Sequence, residues 1–186
     1  MHNHLEIEFK TFITEQEYLN LLKEFDLENK TFDQTNYYFD TNDNELLNNK
    51  IVLRIRKKDK YKLTKKEKAE NANYETSEFL KDDEAVQMIQ NGFDASRIGI
   101  NKFVTNICSL KTIRAKAPYK DGTIFFDKSI YMGVIDYEIE YEANDYETGK
   151  ETFLEFLQSH NIQLNIPISK SKRAFNEYYK VKEKGR

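Results

Sequence analysis

The chain has 186 residues, of which 39% are hydrophobic and 13% aromatic, so it can bury the core of one domain. Its 29 basic and 32 acidic residues leave a net charge of only −3. A balance this even argues against nucleic acid as a partner, because nucleic-acid-binding domains are strongly basic. Cys108 is the only cysteine, which excludes an intramolecular disulfide and a cysteine-based zinc site.

No apolar run in the sequence approaches the length of a membrane span, and the residues MHNHLEIEFK contain no signal-like apolar stretch. We therefore expect no membrane association and a cytoplasmic location. The composition shows no proline-rich linker, so residues 1–186 are expected to form a single domain.

The first predicted strand, LEIEFK at residues 5–10, alternates apolar side chains with Glu6, Glu8 and Lys10. Successive side chains of a strand point to opposite faces, so both carboxylates and the lysine share one face. Carboxylates two residues apart beside a cation suit the binding of a metal ion together with an anion.

Four helices are predicted along the chain. They begin at a capping box over residues 14–17, at about Leu80, at a second capping box over residues 148–151, and at about Ser171. The second of these helices is predicted to run to Asn91, with Val86, Ile89 and Phe93 as its apolar stripe.

The remaining periodic segments are predicted to be strands. They lie at residues 35–41, 50–57, 61–66, 103–117, 122–130 and 134–142, whereas the polar stretch 67–75 is predicted to be a loop. Tyr37, Tyr38 and Phe39 are expected to pack in the core rather than to stack on bases. This order of elements favours an α+β fold with mostly antiparallel strands and helices outside.

Several predicted strands have one face made of arginine, lysine and glutamate. Arg54 and Arg56 share a face of their strand, as do the acidic residues of DYEIEYE at residues 136–142. Solvent would explain any one such face, since exposed faces of antiparallel sheets are polar. Like charges at this spacing nevertheless repel unless an opposite charge lies between them. In a closed barrel covered by helices, the charged faces would line an interior suited to a polyanion with divalent cations.

The motifs resemble, in order, those of the CYTH superfamily, also called triphosphate tunnel metalloenzymes. EIEFK matches the ExExK signature, and NYYFDT, LRIR, LTKK, TIR, FDK, DYEIE and SKSKR follow in the family's order from residue 36 to residue 173. The resemblance runs from residue 5 to about residue 175. It implies an α+β fold built on a closed eight-stranded antiparallel β-barrel with helices packed outside. The tunnel of that barrel would bind triphosphate-containing molecules together with a divalent metal.

The resemblance also implies the site residues. The metal-binding carboxylates would be Glu6, Glu8, Asp127, Glu138 and Glu140. The phosphate-binding cations would be Lys10, Arg54, Arg56, Lys66, Arg114, Lys170 and Arg173. Of these, the catalytic set would be Glu6, Glu8, Lys10, Glu138 and Glu140, and Glu75 would lie near a charged tunnel position. Lys65 departs from the family pattern, which has an apolar residue there, and it should face away from Lys66.

Oxygen ligands without cysteine or histidine favour Mg²⁺ or Mn²⁺ over zinc. The first functional hypothesis is therefore a metal-dependent hydrolase that releases the terminal phosphate of inorganic triphosphate. Thiamine triphosphate and nucleoside triphosphates are alternative substrates. Adenylate cyclase activity and a non-catalytic polyphosphate or nucleotide-binding module are alternative functions. The oligomeric state is left open, with a homodimer as one option.

Overall fold

A computed structural model of the protein describes residues 2–68 and 72–185. Its strands are β1 (His2–Ile13), β2 (Phe32–Asp40), β3 (Ile51–Lys57), β4 (Tyr61–Lys68), β5 (Asn73–Leu80), β6 (Phe93–Asp94), β7 (Phe103–Tyr119), β8 (Gly122–Tyr131) and β9 (Val134–Ala143). Its helices are α1 (Glu15–Glu24), α2 (Glu45–Asn48), α3 (Asp82–Asn91), α4 (Tyr146–Ser159) and α5 (Lys170–Lys184), with a 3₁₀ turn over Ala95–Ile98. Among the described residues, no helix is both long and apolar enough to cross a membrane.

The strands are hydrogen-bonded in the order β2-β3-β4-β5-β1-β9-β8-β7-β6, and β2 also pairs with β7. Because the pairing returns to its first strand, the topology is a closed eight-stranded antiparallel β-barrel, with the two-residue β6 appended to β7. The predicted α+β barrel is confirmed. By its contacts, the chain divides into two compact units, each with its own apolar core.

The first unit contains residues 34–111 and the C-terminal helix. Its core packs the apolar faces of β2, β3 and β4 against α2, α3 and the 3₁₀ turn. Leu53, Ile55 and Leu63 are almost completely buried there, with Ala85 and Met88 of α3 in the same cluster. Tyr38 and Phe39 are both 1% exposed, so they are packing residues as predicted.

The second unit contains residues 6–33 and 112–168. Its core packs α1 and α4 against the apolar faces of β8 and β9. The cluster includes Leu21 and Leu22 of α1, Phe153 and Phe156 of α4, and Ile124, Phe126 and Ile139 of the strands. In both units the helices thus cover the apolar faces of the strands, which leaves the charged faces on the opposite side of the sheet.

The predicted capping box of α1 is confirmed. The Thr14 hydroxyl accepts a hydrogen bond from the Glu17 backbone N–H at 3.2 Å, and the Glu17 carboxylate accepts one from the Thr14 N–H at 2.7 Å. The capping box predicted at residues 148–151 is wrong, because α4 begins three residues earlier. Asp145 caps it by accepting from the Thr148 N–H at 3.0 Å.

The loop predicted for residues 67–75 is wrong in its described part. Strand β4 continues to Lys68 and β5 begins at Asn73, with Lys66 paired opposite Glu75. Residues 69–71 lie outside the described part of the chain. Alternation of apolar and polar residues could not reveal β5, because its outward face carries Thr76 and Glu78 where the other strands carry apolar side chains.

The predicted apolar stripe of the second helix is confirmed at Ile89, which packs against the core, and is wrong at Val86 and Phe93. Helix α3 buries Ala85 and Met88, whereas Val86 is 37% exposed. Gly92 ends the helix with a φ of +76°, a conformation that suits glycine. Phe93 therefore lies in β6 instead of on the helix.

Asp40, the aspartate of NYYFDT, caps the first turn of α2 with its side chain. Helix α2 is a short helix that the sequence pattern did not predict. Its fully buried carboxylate accepts hydrogen bonds from the backbone N–H groups of Thr41 at 2.7 Å, Leu46 at 2.9 Å and Leu47 at 3.0 Å. We predict that Asp40→Ala lowers the free energy of unfolding by about 2 kcal/mol or more, because it leaves buried donors without an acceptor.

Denaturant unfolding of the variants measures this effect. Asp40→Asn should cost less than Asp40→Ala, because the amide keeps one acceptor oxygen. Asp59→Ala, in the hairpin between β3 and β4 where the side chain is 89% exposed, is the matched control and should be neutral. Equal stabilities of Asp40→Ala and Asp59→Ala would contradict the capping role.

Candidate active site

Strands β1, β8 and β9 are paired so that their carboxylates lie on one face of the second unit. Asp127 of β8 lies opposite Glu138 of β9. On the other side of β9, Lys10 lies opposite Glu140, and Glu8 lies opposite the next acid along the strand, Glu142. Residues directly opposite each other in an antiparallel pair share a face, so three strands contribute to one charged surface.

Three of these carboxylates form a compact buried cluster. Asp127 and Glu138 are 0% exposed and Glu140 is 6% exposed. One oxygen from each lies within 4.8 Å of the others, so together they could hold a metal ion. Oxygen-only ligand sets of this kind suit hard divalent cations.

Arg114 of β7 is buried among the same carboxylates. Its Nε donates to Asp127 Oδ1 at 2.7 Å and its terminal nitrogen to Asp127 Oδ2 at 2.6 Å, and it also donates to Glu140. Its guanidinium carbon lies 4.4 Å from the centroid of the Phe125 ring. Burial lowers the pKa of Arg114, but Asp127 and Glu140 outweigh burial and hold that pKa well above its usual value. Arg114 therefore stays charged and neutralises part of the acidic cluster.

Glu142 belongs to this surface although it was not among the predicted site residues. Burial, followed by the charge of Glu6 and smaller contributions from Glu140 and Glu8, raises its pKa to about 7, against a partial opposing effect of Arg114. The available signal was the position of Glu142 on the acidic face of DYEIEYE, one strand repeat beyond the family motif. Carboxylates this crowded favour either a bound proton or a bound cation.

Lys10 contacts the acidic surface through Glu8. The Lys10 Nζ lies 2.8 Å from Glu8 Oε1, and both side chains are largely buried. The charged face of the ExExK motif therefore lies on the same side of the sheet as the acidic residues of β9.

A separate set of cations lies on β3 and β4 of the first unit. The Arg54 guanidinium lies 3.2 Å from Glu75, and the Lys66 Nζ lies 3.7 Å from the same carboxylate. Burial raises the pKa of Glu75, but Arg54 and Lys66 outweigh burial, so that pKa is lowered overall. The Arg56 Nε donates to the side-chain oxygen of Asn36 at 2.9 Å. Glu75 thus holds two of the predicted phosphate-binding side chains in place.

Helix α5 brings Lys170 and Arg173 to the first unit. The Ser169 hydroxyl caps the helix by accepting from the Lys172 N–H at 3.3 Å, and Arg173 is only 7% exposed. Burial raises the pKa of Tyr38, while the charges of Arg54 and Lys170 partly oppose that rise. The charges of Lys170 and Arg54 therefore both influence the pKa of the buried Tyr38 phenol.

The structure brings the predicted residues together in two groups. Glu6, Glu8, Lys10, Arg114, Asp127, Glu138 and Glu140 belong to the second unit, and Arg54, Arg56, Lys66, Lys170 and Arg173 to the first. Lys65, the departure from the family pattern, turns away from Lys66 and pairs with Glu67 at 2.8 Å. The predicted roles of the site residues in catalysis and binding stay predictions.

Two hydroxyls on the acidic face were also missed by the sequence reasoning. Thr112 and Ser129 are both 0% exposed, and their oxygens have no hydrogen-bond partner among the described residues. An unpaired buried polar group typically costs about 1–3 kcal/mol. The only sequence signal was that Thr112 begins the TIR motif.

Comparisons with known proteins identify the family of this chain. The chain matches the CYTH domain family over residues 4–175. It is 36% identical over 192 residues to YjbK of Bacillus subtilis, named as a candidate triphosphatase, and the match covers 99% of each chain. A solved structure from Bacillus halodurans, described as a candidate adenylate cyclase, has a TM-score of 0.86 at 30% identity and covers 94% of this chain and 100% of that one.

A more distant solved structure shows the same fold. The Hippeastrum protein described as a candidate adenylyl cyclase with dominant triphosphatase activity has a TM-score of 0.73 at 19% identity, over 92% of this chain and 94% of that one. With a family match over nearly its whole length and a full-length relative at 36% identity, the chain belongs to the CYTH domain family.

Proposed function

We propose that the protein is a divalent-metal-dependent hydrolase of triphosphate-containing substrates, with inorganic triphosphate as the first candidate. The observation that carries this proposal is the buried cluster of Asp127, Glu138 and Glu140 with Arg114 among them. A small triphosphate in the cytoplasm, rather than nucleic acid or a membrane, is the proposed partner.

The named relatives support this choice of reaction. YjbK, which matches the full chain at 36% identity, is named as a candidate triphosphatase. The Bacillus halodurans protein is described as a candidate adenylate cyclase, so cyclase activity is the alternative that an assay must separate. Both activities act on a triphosphate, which fits a site that combines carboxylates with arginine and lysine.

The metal is proposed to be Mg²⁺ or Mn²⁺, because every candidate ligand is a carboxylate oxygen. The residues that would hold it are Glu6, Glu8, Asp127, Glu138 and Glu140. When bound, such a cation supplies positive charge that stabilises the charge developing on phosphate oxygens.

The chain's own cations would bind and orient the phosphates. Arginine forks match phosphate oxygens bidentately, which suits Arg54 and Arg56, whereas Lys66 and Lys170 act as point charges. Lys10 lies against Glu8, so it would contribute charge at the acidic surface. Phosphoryl transfer needs mainly positioning and charge neutralisation, and these residue types provide both.

A substrate panel tests the proposal directly. Purified protein is incubated with inorganic triphosphate, thiamine triphosphate or ATP, each with Mg²⁺, Mn²⁺ or EDTA. Metal-dependent phosphate release from inorganic triphosphate is the expected result. Formation of cyclic AMP from ATP would instead indicate the cyclase. Binding of a triphosphate or of polyphosphate without turnover would indicate the non-catalytic module.

We predict that Glu138→Gln lowers metal-dependent turnover by about 100-fold or more. The amide removes one negative charge from the acidic cluster, and even outer-shell changes at metal sites typically cost about 10- to 100-fold. Arg114 keeps its contacts with Asp127 and Glu140, so the fold should persist, as measured by circular dichroism. The readouts are kcat at saturating substrate and the Mn²⁺ concentration for half-maximal activity.

Glu151→Gln on the exposed surface of α4 is the matched control for that substitution. It makes the same chemical change without touching the cluster, so its turnover should equal that of the wild type. Wild-type activity in Glu138→Gln would contradict the proposed role of Glu138 as a metal ligand.

We also predict that Arg54→Ala raises KM for inorganic triphosphate by at least about tenfold, the cost of one lost hydrogen bond between charged groups. Glu75 keeps Lys66 as a partner, so the variant should still fold. Arg54→Lys should recover part of the affinity. Lys60→Ala, in the exposed hairpin after β3, is the control for loss of a positive charge. An unchanged KM in Arg54→Ala would remove Arg54 from the phosphate-binding set.

One observation favours substrates that carry an aromatic group as a second candidate class. Phe79 shares the inward face of β5 with Glu75 and Ser77, and it lies opposite Lys62 in the register. Glu75 and Ser77 are buried, but Phe79 is 61% exposed. An exposed ring at the end of a cationic face can stack on a base or on a thiamine ring.

We predict that Phe79→Ala lowers kcat/KM for ATP or thiamine triphosphate by about tenfold, the scale of one stacking contact, and leaves kcat/KM for inorganic triphosphate unchanged. Tyr74→Ala is the matched control, because Tyr74 lies on the opposite face of the same strand and is 59% exposed. Equal losses for organic and inorganic triphosphates would contradict the stacking role. Steady-state kinetics on both variants, with competition binding where turnover is absent, provides the measurement.

A further inference from the structure

The hydroxyls of Thr112 and Ser129 lie on the same face as the acidic cluster. Thr112 is two residues before Arg114 in β7, and Ser129 is two residues after Asp127 in β8, so each shares a face with its neighbour. Ser129 also lies opposite Asp136 of β9. Both residues are 0% exposed.

Buried hydroxyls without partners are rare in folded proteins. Neither Thr112 Oγ1 nor Ser129 Oγ has a hydrogen-bond partner in the part of the chain that the structure describes. Groups of this kind commonly mark places that bind ordered water or a ligand. Two hydroxyls from different strands are thus buried beside the Arg114–Asp127 ion pair without a partner among the described residues. This coincidence points to a ligand that both hydroxyls contact.

The distances suit a single ligand. The Cα atoms of residues two apart in a strand are separated by about 7 Å, so Thr112 and Ser129 are the next residues on the same face after Arg114 and Asp127. A whole triphosphate chain, unlike a single phosphate group, spans a length of this order. Hydroxyls add hydrogen-bond donors to this surface without adding a charge to it.

We propose that Thr112 and Ser129 donate hydrogen bonds to oxygens of the metal–triphosphate complex bound at the acidic cluster. The inference rests on the proposed function and adds two neutral binding residues to the predicted charged set. In the ligand-free protein these hydroxyls do not hold the fold together, so their removal acts on binding instead of on stability.

The substitutions Thr112→Val and Ser129→Ala remove each hydroxyl with little change of shape. Each is expected to leave the melting temperature of the ligand-free protein unchanged or higher. Each should also raise KM for inorganic triphosphate with Mn²⁺ on the order of tenfold, and reduce the melting-temperature shift that the same mixture produces.

Thr11→Val is the matched control. Thr11 is also 0% exposed, but its hydroxyl accepts from the Asn165 backbone N–H at 2.7 Å and donates to the Gln163 carbonyl at 3.3 Å. Its loss should lower the melting temperature of the ligand-free protein and leave KM unchanged.

The outcomes separate the two proposals. A wild-type protein that neither binds nor hydrolyses inorganic triphosphate would count against the proposed function. Wild-type activity together with an unchanged KM in Thr112→Val and Ser129→Ala would overturn this inference alone. So would a lower melting temperature in the ligand-free variants, because it would give the hydroxyls a structural partner.

Discussion

Arg114 is held between the carboxylates of Asp127 and Glu140, and this buried ion pair constrains the strands around it. The guanidinium makes a two-pronged contact with Asp127 and a further contact with Glu140. Removing such charges from water is expensive, and their mutual attraction repays the cost only with good geometry and several hydrogen bonds. Strands β7, β8 and β9 must therefore keep their register, since a slip of one residue would turn these side chains to the apolar face.

The apolar cores supply the stability that this charged face cannot. In the second unit, Phe126 and Ile139 on the opposite face of β8 and β9 are completely buried against α1 and α4. In the first unit, Leu53 and Leu63 are buried in the same way beneath α2 and α3. The strands in these clusters are thus fixed by their outward apolar side chains, while charged side chains are concentrated on their inward faces. This division of roles explains why every second residue of these strands is polar or charged in the sequence.

The sequence predicted most of the fold because its outward faces obey simple periodicity. Strands β7 to β9 and helix α1 were predicted within a few residues, and the capping box of α1 was found from four residues. Strand β5 was missed because Thr76 and Glu78 occupy its outward face, so the apolar half of the alternation is absent there. The start of α4 was missed because Asp145 competes with Thr148 for the capping position and lies three residues earlier.

The composition of the candidate site was easier to predict than its internal contacts. A period-two pattern shows that Arg114 and Glu140 point inward, but only the pairing of strands shows that they touch. The same limit applies to Glu142, whose position opposite Glu8 depends on the register of β1 and β9. The buried hydroxyls of Thr112 and Ser129 could not be recognised from sequence, because threonine and serine are ordinary strand residues and only their lack of partners distinguishes them.

The charges of the two units differ in sign, and this difference bears on the ligand. The inward residues of the second unit are dominated by carboxylates, with Lys10 and Arg114 opposing Glu6, Glu8, Asp127, Glu138, Glu140 and Glu142. In the first unit the cations Arg54, Arg56, Lys62 and Lys66 are opposed by Glu75. An excess of buried carboxylates favours a cation, and an excess of arginine and lysine favours an anion. The acidic surface of the second unit therefore suits a divalent cation, and the arginine and lysine side chains of the first unit suit phosphate oxygens.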